Sequence, residues 1–269
     1  MPEPLPEELA AALASSADRR GAFGAPAVCL PSTGSTNDVA MTLAEHGAPQ
    51  GAVVIALAQT AGRGRQRREW FSPPGAGLYV SVVIRDAAIA PMLTLAGGVA
   101  VAEGIRAATA LPVAIKWPND IVVRDEMAPG KRRKLAGILA EGSSAAGGLQ
   151  HVVLGFGINV RPADYPAGLA ARVTSLEREL GRPVDAGLVL SEILVALNEQ
   201  VGALKAGDAR SVLDRWRALA PSAVGAAVAW NSAGQSVRGT TSGVDEHGAL
   251  LIRVAGRVER VISGEVQWL

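Results

Sequence analysis

An α+β fold, in which a mixed sheet packs against helices and a small antiparallel barrel follows at the carboxyl end, is the architecture the sequence predicts. Three observations carry it. Short β-branched or alternating runs, each bounded by turn residues, recur as far as Asn159. Two long segments, Pro91–Ala110 and Ala186–Leu204, place apolar residues at helical spacing. Beyond Pro221 the helical period disappears and short strand-like runs take over. With 269 residues against roughly 150 for a typical domain, the chain divides into a larger unit over 1–220 and a smaller one over 221–269.

Taken in order, the amino-terminal stretch reads as a helix from Pro6 to about Ser16, then a Gly/Ala/Pro-containing connection, too short for a domain of its own. STNDVAMTLAE sets a Ser/Thr/Asn cluster ahead of a helical run. GAVVIALAQ from Gly51 and LYVSVVI from Leu78 to Ile84 read as strands flanking a Gly/Arg-rich loop. In the first long helix Met92, Leu95, Ala96, Val99 and Ala102 share a face, and Gly97, Gly98 and Gly104 allow close packing. VAIKW, a Pro-Asn-Asp turn, IVV, a polar loop, KLAGILAE and HVVLGFGINV then follow as strands joined by turns. This cadence is not a strict βαβ alternation. The second long helix carries Leu190, Ile193, Leu194, Leu197 and Val201, and another covers Asp208–Leu219 before Pro221 closes it. VGAAVAW, SVRGTTSGV, ALLIRV, RVERVI and VQWL complete a meander that predicts a small SH3-like barrel.

Composition removes several classes of function. Lys and Arg number 26 against 25 Asp and Glu, a net charge of +1, so no global field draws the chain to nucleic acid or an anionic membrane. Any electrostatic role is local. Hydrophobic residues reach 49%, yet much of this is Ala, and no uninterrupted apolar run approaches the roughly 18 residues of a spanning helix. Glu3, Glu7 and Glu8 stand where a signal peptide carries positive charge, which predicts a cytoplasmic protein. The single cysteine, Cys29, excludes an internal disulfide and reads as a small buried hydrophobe in AVCLP. His46, His151 and His247 form no zinc-spaced cluster, and P-loop, nucleophile-elbow and H-E-x-x-H motifs are missing.

Five segments carry chemistry. QTAGRGRQRREW puts Arg63, Arg65, Arg67 and Arg68 among glycines 62 and 64, with Trp70 and Phe71 able to pack over a ring. Planar guanidinium forks suit phosphate or carboxylate; a solvated basic loop is the plainer alternative. In GKRRKLAGILAE, Lys134 stands at the strand entrance, placed for partial burial beside a ligand, while Lys131, Arg132 and Arg133 read as solvent-facing. KWPND holds Lys116, Trp117, Asn119 and Asp120 around a rigid turn, which self-bonding of Asn119 or Asp120 explains equally well. GFGIN places Gly155 and Gly157 in a strand, the mark of a bulge or of a ligand lying on the backbone. Ser35, Thr36 and Asn37 read either as a helix cap or as polar groups aimed at a ligand.

In this order, GSTN, QTAGRGR, KWPND, KLAGIL and GFGIN resemble the biotin protein ligases, and the similarity runs from about Ser32 to the carboxyl terminus. The resemblance implies a class II aminoacyl-tRNA synthetase/biotin synthetase-like mixed sheet. It also implies a two-step reaction: the biotin carboxylate attacks the α-phosphate of ATP, giving biotinyl-5′-AMP, and a lysine of a biotin carboxyl carrier protein or domain then attacks the mixed anhydride. ATP with Mg²⁺ on its phosphates and biotin are the implied ligands, with no protein-held metal, no nucleic acid and no membrane. Monomer and homodimer both stay open. By similarity Ser35, Thr36, Asn37, Gln59, Gly62, Arg63, Gly64, Arg65, Gly137 and Gly157 surround biotin. Lys134 meets the biotin carboxylate and the α-phosphate, and Arg63, Arg65, Lys116 and Asp120 join it in the chemistry. Arg68 contacts the ATP phosphates, and Trp70, Asn119 and Asn159 surround the adenine. Two departures stand out: Arg67 replaces the usual third glycine of the Arg-rich loop, and the segment before Lys134 is longer and more basic than in compact members. The residues ahead of Ser35 are too few for the DNA-binding module of the repressor-type members, so that role is expected to be absent. Lipoate or octanoate transfer on the same fold, and a non-catalytic biotin or nucleotide sensor, are the alternatives.

Overall fold

The computed structural model describes residues 3–124, 132–145, 148–232, 235–262, 264 and 266–269. The chain opens with α1 (Glu7–Ser15), the single turn α2 (Ala17–Arg20) and the strand β1 (Ala27–Leu30), then α3 (Thr36–Glu45), β2 (Val53–Ala56) and β3 (Gly77–Ile84). The long helix α4 (Ala90–Thr109) leads into β4 (Ala114–Lys116), β5 (Asp120–Arg124), β6 (Arg132–Ala145) and β7 (Gly148–Asn159). Short α5 (Ala167–Ala170) and α6 (Leu176–Leu180) precede α7 (Ala186–Lys205) and α8 (Ala209–Leu219). The remainder is β8 (Val224–Ser232), β9 (Gln235–Val244), β10 (Leu250–Val254), β11 (Arg257–Val261) and β12 (Val266–Trp268). The fold is therefore α+β, as the patterning predicts. Among the strands, β1 is the one the sequence reading missed, and the short helices α2, α5 and α6 went unread as well. The four residues of β1 lie in what reads as a connection, and they form a strand because parallel pairing with β2 gives their backbone groups partners.

The main sheet has the order β1-β2-β3-β7-β6-β5-β4, antiparallel throughout except for β1 and β2. One face carries α4, backed by α7 and α8, over fully buried Leu93, Ile105, Ile138, Leu154 and Trp216. Burying each such side chain contributes about 1.5–3 kcal/mol. Gly104 sets how near α4 and α7 approach, since a methyl group there would come within 2.5 Å of the Ile193 backbone. A smaller core on the other face joins Ala40 and Ala44 of α3 to Val54, Val83 and Val153. Windows in Ala87–Thr109 and in α7 are long and apolar enough to cross a membrane, which corrects the expectation drawn from uninterrupted runs; 72% and 67% of those windows lie buried within the protein.

The carboxyl-terminal strands form a separate antiparallel sheet, ordered β11-β10-β9-β8-β12. It docks on the larger unit where Trp117 Nε1 donates to the Gly248 carbonyl at 3.0 Å. That contact brings β12 to one end of the main sheet.

Candidate active site

Sheet register builds the floor of a cleft of about 1200 Å³. Residues directly opposite one another in an antiparallel ladder share a face. The ladders line up Ala56, Tyr79, Gly157, Gly137, Asp120 and Lys116 as one row, with Val54, Ser81, Gly155 and Leu139 beside it. Gly157 and Gly137 leave the middle of the first row bare of side chains. Trp70 lies on them: a methyl group at Gly157 would come within 2.3 Å of the indole Nε1, and one at Gly137 within 3.0 Å of its six-membered ring. Trp70 Nε1 is buried, with no hydrogen-bond partner among the described residues.

Lys134 reaches the same face through a β-bulge. Gly137 and Lys134 are three residues apart, an odd spacing that puts two residues of a flat strand on opposite faces. The ladder with β5 skips Leu135: Ile121 faces Ala136, and Val122 faces Lys134. Leu135 and Ala136 both enter the core, and Lys134 turns to the cleft. Its backbone is pinned by the neighbouring segment, with Lys134 N donating to Arg172 O at 2.8 Å and Thr174 N to Lys134 O at 2.9 Å. The ammonium sits 2.6 Å from Asp120 Oδ1 and 5.0 Å from the centre of the Trp70 ring. Arg65 lines the cleft beside them; burial pushes its guanidinium below the ordinary arginine range, opposed by the Asp120 carboxylate.

The other end of the cleft is neutral and polar. Ser35 stands at the amino end of α3 without a side-chain capping bond. The Thr36 amide donates instead to Gln59 Oε1 at 2.8 Å, and the Thr36 hydroxyl lies 3.1 Å from the same oxygen. Gln59 Nε2 donates to Ser72 Oγ at 2.9 Å. Ser81, wholly buried, donates to Asn37 Oδ1 at 2.5 Å and sits 2.7 Å from the Thr36 hydroxyl. Asn37 Nδ2 in turn donates to Glu141 at 2.6 Å. The Arg-rich loop is folded on itself by backbone bonds from Trp70 N to Gly62 O at 2.8 Å and from Gly64 N to Arg68 O at 2.7 Å. Its left-handed position falls on Gln66, at φ 57°, so the glycine that Arg67 replaces is not what the turn requires here.

Most of the residues singled out in the sequence meet in this cleft: Ser35, Thr36, Asn37, Gln59, Arg63, Gly64, Arg65, Arg68, Trp70, Lys116, Asn119, Asp120, Lys134, Gly137, Gly157 and Asn159 all line it. Gly62 does not. It is buried beneath Trp70, where a methyl group would come within 2.4 Å of the Trp70 carbonyl. Asn119 and Asn159 each hold the wall together, donating to the backbone carbonyls of Ile138 at 2.8 Å and Thr174 at 2.9 Å. Arg132 and Arg133 depart from the solvent-facing expectation. Arg133 pairs with Glu179 at 2.9 Å, and Arg132 lines the cleft with its guanidinium 5.8 Å from the Trp268 ring. Burial, together with repulsion from Arg124, lowers Arg132 from its ordinary value. Lys131 and the rest of 125–131 lie outside the described residues. Sequence reasoning missed Ser81, Glu141 and Trp268. Trp268 arrives from β12 and also has Lys116 Nζ 5.9 Å from its ring. No group of three or more His, Cys, Asp or Glu able to hold a metal occurs among the described residues.

Comparison with known proteins gives a consistent set of matches. The Biotin/lipoate A/B protein ligase family matches residues 29–159, and the Biotin protein ligase C terminal domain matches residues 225–268. The chain is 35% identical over 245 residues to the biotin–[acetyl-CoA-carboxylase] ligase of Mycobacterium tuberculosis, covering 87% of this chain and 85% of that one. It is 32% identical over 238 residues to the bifunctional ligase/repressor BirA of Bacillus subtilis, covering 87% and 71%. Among solved structures it resembles a biotin protein ligase from Aquifex aeolicus in complex with biotin and ATP, with 26% identity, a TM-score of 0.75, and coverage of 90% of this chain and 98% of that one.

Proposed function

The chain belongs to the biotin protein ligases, and we propose that it joins biotin to one lysine of a biotin carboxyl carrier protein or domain through biotinyl-5′-AMP. The observation that carries this reading is the polarity of the cleft. Neutral hydrogen-bonding groups (Thr36, Asn37, Gln59, Ser81) sit at one end, and a glycine floor on which Trp70 lies leads to the charged group of Lys134, Asp120 and Arg65 at the other. A ureido ring offers neutral donors and acceptors that can exchange with these bonds, whereas the dithiolane of lipoate and the chain of octanoate bring no hydrogen-bonding group to this end of the cleft.

In the first step a biotin carboxylate oxygen bonds to the α-phosphorus of ATP and pyrophosphate leaves. Two anions must meet, so fixed cations supply the catalysis. In this reading Lys134 is the cation that meets both reacting groups, supported by its position in the cleft with Arg65 and Lys116. Mg²⁺ enters on the ATP phosphates. In the second step the carrier amine, having lost a proton, attacks the anhydride carbonyl and AMP leaves; in this reading Asp120 is the carboxylate that draws that proton. Arg68 and Trp70 serve the nucleotide side. We assign the catalysis to residues 1–220, place the reaction in the cytoplasm, and read residues 221–269 as a wall of the cleft.

Pyrophosphate release from ATP with biotin, lipoate or octanoate, followed by the mass of an added carrier domain, tests this. Release with biotin alone and one biotin on the carrier lysine is the expected outcome. Release with lipoate, or biotin binding without turnover, would overturn it.

A further inference from the structure

A single carboxylate oxygen joins the polar pocket to the loop above it. Glu141 Oε2 accepts from Asn37 Nδ2 at 2.6 Å and from the Arg63 guanidinium at 2.9 Å. The two donors belong to different parts of the cleft. Asn37 is in the pocket wall, 4% exposed, held by Ser81 and pressed against β7, where a methyl group at Gly155 would come within 2.2 Å of its Oδ1. Arg63 is in the covering loop. It also pairs with Asp38 in the first turn of α3, at 2.6 Å. Burial alone would lower Arg63, yet the hydrogen bonds it donates to Glu141 and Asp38 outweigh it and raise the group above its ordinary value. Beside this tie a hollow of about 440 Å³ separates the loop from β6, lined by Arg63, Arg65, Gln66, Leu139 and Glu141. Within residues 63–66, Arg63 is thus the one that bridges from the loop to both β6 and α3.

We propose that Glu141 is a positioning residue that ties occupancy of the polar pocket to closure of the loop, with Arg63 as the loop's anchor. This deepens the biotin-ligase reading and rests on it. A ligand that orders Asn37 also orders the carboxylate on which Arg63 lands, so pocket and loop favour one another's bound arrangement. When the loop lifts, Glu141 loses its cation, and Asn37 keeps a partner that is free to swing into the hollow. Two carboxylates on one guanidinium leave Arg65 and Lys134, not Arg63, to meet the phosphate.

The experiment compares the wild-type protein with Glu141→Gln and Arg63→Met, which break the tie from either side, and with Asp38→Asn, which removes only the second pair. Each is measured for its biotin-induced melting shift, for tryptic cleavage of the Arg-rich loop with and without biotin, and for biotinyl-5′-AMP release. In the wild type biotin should slow loop cleavage about tenfold or more. Glu141→Gln and Arg63→Met should keep a melting shift with biotin, lose that protection to within about twofold, and release the adenylate roughly tenfold faster. Asp38→Asn should keep the biotin-dependent protection. Full protection in Glu141→Gln, alongside a melting shift in both proteins, overturns the inference and leaves the ligase reading standing. A wild-type protein whose melting does not respond to biotin overturns both.

Discussion

The Lys134 ammonium lies 2.6 Å from a carboxylate and 5.0 Å from an indole ring, a setting that fixes its direction as well as its charge. On the role proposed for it, replacement by Ala removes a charge-assisted contact from the adenylation transition state, worth about 1.5–3 kcal/mol, or roughly ten- to hundredfold in rate. Lys134→Ala should therefore slow biotin-dependent pyrophosphate release by that factor while the melting temperature moves little; the side chain is a third exposed, at 32%. Equal losses of stability and rate would refute this assignment. Lys134 was legible because its segment is distinctive, but its orientation was not. Alternation counted from Gly137 turns the lysine into the core, and only the bulge at Leu135 corrects it. Ser81 was hidden for a related reason. As one polar residue in the alternating run LYVSVVI it looks like a solvent-side position, whereas it is wholly buried with Thr36 and Asn37. A strand shows its own period but not what lies across from it.

Elements with a strong period read true. The segments of α4, α7 and α8 follow from apolar spacing, and their closest approach follows from Gly104. Gly104→Ala forces a methyl group to within 2.5 Å of the Ile193 backbone, and overpacking of this kind costs about 1–3 kcal/mol. Differential scanning calorimetry should show a lower melting temperature, with turnover per folded molecule unchanged. Elements that depend on partners read poorly. β1 is defined by β2, and Arg132 and Arg133, which look like the solvated end of a basic run, are turned inward by pairing with β5. The β9–β10 turn shows how one side chain can hold an element. Asp245 accepts from the amides of His247 and Ala249, both at 2.9 Å, and pairs with Arg260 at 2.5 Å. Burial alone would raise its carboxyl; these donors outweigh burial and hold it below the ordinary 3.8. The folded state thus binds the Asp245 proton less readily than the unfolded chain. Its contribution is fully present above the unfolded value and disappears as pH falls through the lowered one. Asp245→Asn should destabilise the protein at pH 7, and by progressively less as pH falls below about 4, as read from melting curves across that range.

Across the whole molecule, two units are visible in the sequence, but nothing in it reveals that they share a cleft. Their junction rests on buried Trp117, whose indole reaches the Gly248 carbonyl, and on Leu95, which lies beneath Gly248. This junction carries Trp268 to within 6 Å of both Lys116 and Arg132, at 5.9 and 5.8 Å. Trp268→Ala should raise the KM for ATP about three- to tenfold through loss of these cation–π contacts, with biotin affinity within about twofold, as measured by calorimetric titration. An unchanged KM would confine the tryptophan to packing. The distribution of charge has a wider effect. The chain as a whole is nearly neutral at +1, yet Arg65, Arg68, Lys116, Arg132, Lys134 and Arg172 line one cleft against Asp120 and Glu69. A potential that decays over about 8 Å at physiological ionic strength is felt at the mouth of that cleft and hardly beyond it. Added salt should therefore weaken capture of the polyanionic nucleotide while leaving uptake of biotin and the melting temperature nearly untouched, so that ionic strength alone separates the two substrates.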